Sequence, residues 1–202
     1  MITLLINVPK QKSSLYQTSF GGLPVKNVGS GFDWPKCEAC KTEMQYQGKI
    51  KTDLGSELIF ICNGNPGMCN EWDADSGGNK VIIIVGEKLE FARPPSRELA
   101  LRPIEHGAVV KTIEDSDNYD EARQRFAKEN KVSPREVLGQ IFGEPSWLQG
   151  DETPECDTCG KRMRFVSQLE QGPDWQTEMK FGGGCGYLFD CPACNSGKFL
   201  WQ

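Results

Sequence analysis

Eight of the nine cysteines in this chain fall into two groups whose spacing suits metal chemistry. Cys156 and Cys159 bracket Asp157 and Thr158, with Gly160 next, and a second close pair, Cys191 and Cys194, follows downstream. Two short pairs so separated are the pattern of a four-cysteine zinc site. One tight turn sets two thiolates along an edge of a tetrahedron, and a second turn from a neighbouring hairpin supplies the opposite edge. Gly160 suits the position after the second thiolate, which often needs a positive φ. The other group is Cys37, Cys40, Cys62 and Cys69. Its second pair is separated by a wider loop, in which Asn65, Pro66 and Gly67 supply a turn. Four thiolates on such turns favour zinc over iron. Two structural zinc ions with four cysteine ligands each are therefore expected. Such ions have no vacant coordination position and cannot activate water.

The remaining candidates for chemistry are weaker. Cys185, between Gly184 and Gly186, is either a reactive thiol in a glycine loop, a small apolar filler, or a substitute for one of the eight ligands. His106 is the single histidine, so a Ser-His-Asp or Cys-His site depends on it alone. Gly182 to Gly184 lacks the following lysine and hydroxyl residue of a phosphate loop and reads as a turn. Asp73 and Asp75 form either an acid–base pair or a solvated polar loop. Trp147 and Gln149 line either a recognition groove or, for the tryptophan, an anchor in the core.

The elements that must position the cysteines repeat along the chain. Met44 and Tyr46 follow the first Cys-x-x-Cys turn at the offsets at which Met163 and Phe165 follow the second. Pro35 and Pro154 stand two residues before the first cysteine of each turn. Apolar runs, 58–61 and 186–190, end in Cys62 and Cys191. These matches read as an internal duplication with one zinc-ribbon-like unit per half. Strands are expected at 1–8, 44–50 (half-buried), 57–62 (central), 81–85 (fully buried), 163–169 and 187–190, with a last strand at the end of the chain. Residues 96–142 hold no cysteine and many charges. Asp117 there can cap a helix with Tyr119, Ala122 and Phe126 on its inner face, and Ser133–Pro134–Arg135–Glu136 resembles a capping box opening a second helix through Val137, Leu138 and Ile141. The expected fold is thus α+β: a β-rich duplication with units at 1–95 and 143–202, joined by a short helical insert at 96–142 in one compact pseudo-symmetric domain.

Composition sets limits on function. Hydrophobic residues make up 38% of 202 residues, and 22 glycines and 12 prolines suit short strands, turns and metal staples. The formal charge is −5. Two zinc-loaded quartets would bring it to about −9, which disfavours nucleic acid and anionic membranes as partners. Lys36, Lys41, Lys161 and Arg162 beside the cysteines are either a local nucleic-acid patch or counter-charge for the thiolates. The first residues carry no basic leader and no apolar run approaches a membrane span, so a cytoplasmic protein with reduced cysteines is expected.

Several segments together resemble the YwqG-like proteins, a mostly bacterial domain family of unknown function. They are Phe20 to Pro24, Trp34–Pro35 with Cys37 and Cys40, Pro145 to Gln149, Cys156 to Gly160 with Met163 and Phe165, and Gly186 to Cys191 through Trp201–Gln202. A more distant likeness, in the duplicated cysteine units, is to the programmed cell death protein 2 family, whose members are dedicated chaperones for a ribosomal protein. The resemblance implies a β-rich duplicated fold and no catalytic residues. It favours a non-catalytic zinc-binding protein that recognises another protein, in a chaperone-like, immunity or adaptor role. The competing expectation is a thiol-disulfide oxidoreductase or redox sensor using a Cys-x-x-Cys pair.

Overall fold

The computed structural model describes residues 1–9, 14–95, 101–102, 104–179 and 181–202. Its strands are β1 (Ile2–Val8), β2 (Ser19–Phe20), β3 (Val25–Asn27), β4 (Gln45–Lys51), β5 (Ser56–Ile61), β6 (Asn79–Ile84), β7 (Leu89–Phe91), β8 (His106–Ile113), β9 (Val137–Ile141), β10 (Arg164–Leu169), β11 (Gly186–Cys191) and β12 (Ser196–Trp201). One helix, α1 (Tyr119–Asn130), and a 3-10 turn, Pro134–Glu136, lie between β8 and β9. Ten of the strands form one sheet in the order β12-β11-β10-β9-β1-β8-β2-β4-β5-β6, and β3 pairs with β7. The named pairs are all antiparallel. The sheet coils until its two end strands approach: a Cβ on Gly197 of β12 would stand 2.4 Å from Val81 Cγ1 of β6.

Burial on both faces explains why the strands read as continuous apolar runs. In β5, Ile59 and Ile61 point into the central core with Leu5, Phe20, Val166, Leu188 and Phe199, which come from both halves of the chain. Leu58 and Phe60 point the other way, against Cys37, Cys62 and Cys69. β11 repeats this, with Leu188 inward and Tyr187, Phe189 and Cys191 packed with Cys156 and Met163. In β1, Leu5 faces the central core, while Leu4 meets Tyr119 and Ala122 of α1 on the outside.

This arrangement overturns the α+β expectation of two zinc-ribbon-like units joined by a helical insert. The protein is mostly β, and its sheet is a nearly closed, barrel-like antiparallel one. Residues 106–113 and 137–141, expected within the insert, are the strands β8 and β9, and both pair with β1. Ser133 does cap: its side chain accepts from Arg135 N, and Pro134 follows. The helix nevertheless stops after one 3-10 turn, because all of Val137–Ile141 is buried and the ladder of β1 takes its backbone groups. Residues 96–100 and 103 of the expected insert lie outside the described residues.

Smaller corrections follow the same logic. The N-cap of α1 is Asn118 rather than Asp117, its side chain accepting from Glu121 N at 3.0 Å. β4 is buried along its middle, not on one face only. β6 is an end strand rather than a fully buried one, with Ile82 to Ile84 partly exposed and Val85 53% exposed beyond it.

Candidate metal centres

Each Cys-x-x-Cys turn is built by the same three backbone hydrogen bonds. Cys37 N donates to Thr42 O, Lys41 N to Cys37 O, and Met44 N to Pro35 O. At the matching positions Cys156 N donates to Lys161 O, Gly160 N to Cys156 O, and Met163 N to Pro154 O. The turn needs a left-handed residue after its second cysteine. Gly160 provides it at φ 67°, and Lys41 adopts the same conformation at φ 62°. A bulge then marks each following strand, between Tyr46 and Gly48 and between Phe165 and Ser167.

The second pairs arrive from different loops. Cys191 ends β11, and the turn to β12 brings Cys194 back, its N–H donating to Cys191 O. Cys62 follows β5 directly, and the chain takes a long loop before β6. Glu71 holds that loop: its carboxylate, 4% exposed as a residue, accepts from Gly67 N and from Cys69 N. Asn79 Nδ2 donates to the carbonyls of Glu71 and Asp73. The wide spacing between Cys62 and Cys69 is thereby closed.

Within each quartet, Cys37–Cys40–Cys62–Cys69 and Cys156–Cys159–Cys191–Cys194, the sulfurs all lie within 4.8 Å of one another. Cys40 and Cys62 sulfurs are 3.5 Å apart, and those of Cys159 and Cys191 are 3.7 Å apart. A tetrahedron with zinc–sulfur bonds of about 2.3 Å has sulfur–sulfur edges of about 3.8 Å. A disulfide would need about 2.05 Å, and all nine cysteines are free. Each quartet can hold a metal ion, matching two zinc sites with four cysteine ligands each. These eight are the residues the spacing predicts.

The electrostatics of the donor set agree. The Thr42 hydroxyl draws the Cys40 thiol down to about 6, and the Ser196 hydroxyl does the same for Cys156. Burial and the neighbouring sulfurs push Cys69 up, and Cys194 up to about 12. Four sulfurs this close ionise together only around a cation.

The other candidates resolve differently. Cys185 stands apart from both quartets, buried beside Glu170, and burial pushes its thiol up to about 12, so it is a packed, unreactive residue. His106 is buried in a stack on Phe20, and burial lowers it to about 4, leaving it neutral. Asp73 caps its own turn by accepting from Asp75 N. Trp147 stacks on Tyr187 and Phe189, as a core anchor. Gln149 is exposed, with its backbone N–H donating to Gln202 Oε1.

Two features escape sequence reading. Lys198 of β12 is 9% exposed, and its ammonium is gripped by Asp75, from the first-quartet loop, and by Asp157, inside the second turn, the latter at 2.6 Å. Glu57 of β5 is fully buried; burial and the nearby Asp190 push it up to about 8, while Thr52 Oγ1 donates to its Oε1. Neither has a spacing signal, because each links residues from distant parts of the chain.

Fold and sites together define a mostly β, barrel-like protein with two four-cysteine metal centres. No family model matches the chain. Over 66 residues, 33% of the chain, it is 37% identical to the uncharacterized protein YpfL of Salmonella typhimurium. The chain spans 15% of that protein's length, so the likeness is local. Among the described residues no helix is long and apolar enough to cross a membrane.

Proposed function

We propose that this is a non-catalytic zinc protein that acts by recognising another protein, in a chaperone-like, immunity or adaptor role. The observation that carries this reading is the saturation of both centres by four cysteine sulfurs. A zinc ion so held shapes the protein but offers no position for water or substrate. The likeness to YwqG-like proteins and to the programmed cell death protein 2 family points the same way. So does the acidic surface, which would suit a basic client in a cytoplasmic setting. The matched hydrogen bonds of the two turns and the matched bulges support reading the halves as copies of one ancestral unit. The test is a native pull-down with metal content measured on the same sample. A stoichiometric protein partner is expected; a metal-replete protein that recovers none refutes the reading.

A second reading is a thiol-disulfide oxidoreductase. It is favoured by the exposure of Cys159 and by the low position of its neighbour Cys156. Against it, both belong to a complete quartet. Thiol titration separates the two: modification that tracks zinc release supports the structural role, and fast modification with zinc retained supports the enzyme.

A further inference from the structure

A cleft of about 560 Å³ opens between the two Cys-x-x-Cys turns, over the place where β6 and β12 meet. Each turn contributes the acidic residue that follows its first cysteine: Glu38 on one wall and Asp157 on the other. Asp75 adds a third carboxylate. The floor already demonstrates what these walls bind, since the ammonium of Lys198 sits between Asp75 and Asp157. Glu38 has no such partner: among the described residues no basic side chain pairs with it. Its chain lies over Gly77, where an added Cβ would come within 2.5 Å of its Cδ, so the carboxylate is fixed at the rim. Lys36 and Lys80 also line the cleft, and with Lys198 they offset the three carboxylates. What remains is the charge of the two flanking quartets, about −2 each when four thiolates hold a divalent ion.

We propose that this cleft is the docking site for a lysine- or arginine-rich segment of a partner protein, with Glu38 as an anchoring carboxylate. The proposal rests on the protein-recognition reading above and names the surface and the chemistry of the partner. The cleft is shared between the halves, so a segment lying in it touches both metal-bearing turns and is recognised only by the assembled protein. Attraction of this kind raises the association rate and weakens with salt.

The test uses the zinc-loaded full chain and N-acetylated, C-amidated hexalysine, with hexaglutamate as the opposite probe. Binding is followed by calorimetry at low salt. Hexalysine is expected to bind and hexaglutamate to fail. Glu38→Lys should weaken hexalysine about tenfold or more, while Glu129→Lys on exposed α1, the same change in net charge, should weaken it less than about twofold. Equal losses in the two variants, or equal binding of both peptides, overturn the proposal, since attraction would then be a property of net charge alone. Circular dichroism and metal content establish that each variant is folded. The pull-down repeated with Glu38→Lys separates the two levels of inference. A partner retained undiminished by Glu38→Lys removes the cleft but leaves the recognition reading standing. No partner for either protein removes the reading itself.

Discussion

Single residues carry most of the metal chemistry. Each sulfur in a quartet closes a tetrahedron, so losing one should cost the ion and most of its folding energy, which for structural zinc is on the order of 10 kcal/mol. Cys159→Ser is expected to leave one metal equivalent where the native chain holds two, with a steep fall in melting temperature; elemental analysis and a thermal scan read both. Cys185→Ala should keep two equivalents and cost about 1–2 kcal/mol, the price of a small cavity. The left-handed residue after each turn makes a subtler comparison. Lys41 is exposed at φ 62° where the matching turn has Gly160, so Lys41→Gly should stabilise by up to about 1 kcal/mol and Gly160→Ala should destabilise by a similar amount. Denaturant midpoints of the two variants decide it.

At the scale of elements, the buried carboxyl of β5 gives the protein a pH dependence. Glu57 is raised to about 8 in the folded state from an ordinary 4.5. A raised carboxyl gives stability that is complete below the unfolded value and lost as pH climbs through the folded one. Between these limits the unfolded chain releases a proton that the folded chain keeps. Glu57→Gln should therefore raise stability at pH 8 by about 1–3 kcal/mol, with the gain vanishing near pH 4.5. Its amide can also donate toward Asp190 while still accepting from Thr52. Melting curves across that range test the sign. The elements also explain what was legible in the sequence. The Cys-x-x-Cys turns could be read because their hydrogen bonds and spacing are local. Residues 137–141 were misjudged because a genuine cap at Ser133 precedes them, and only the distant ladder of β1 makes them a strand. The run at 81–85 looked fully buried because an apolar stretch does not say whether its edge is paired.

For the whole molecule, strand order is the part that sequence could not reveal. β1 lies between β8 and β9, which follow it by more than a hundred residues in the chain. The central core mixes side chains from both halves. Neither half has a sheet of its own to retreat to, so residues 1–95 expressed alone should fail to fold even with zinc. Loss of dispersed amide signals in that fragment would be the sign, whereas a cooperative melt would contradict it.

Lys198 gives this interleaving an unexpected arithmetic. Asp157 sits within the second zinc turn and Asp75 on the loop that presents Cys69, so one ammonium ties the order of one centre to the order of the other. Filling either should prearrange its sibling, making uptake concerted. In a native mass spectrum taken at half-saturating zinc, empty and doubly loaded chains should then outnumber the singly loaded form, and Lys198→Met should restore the statistical mixture.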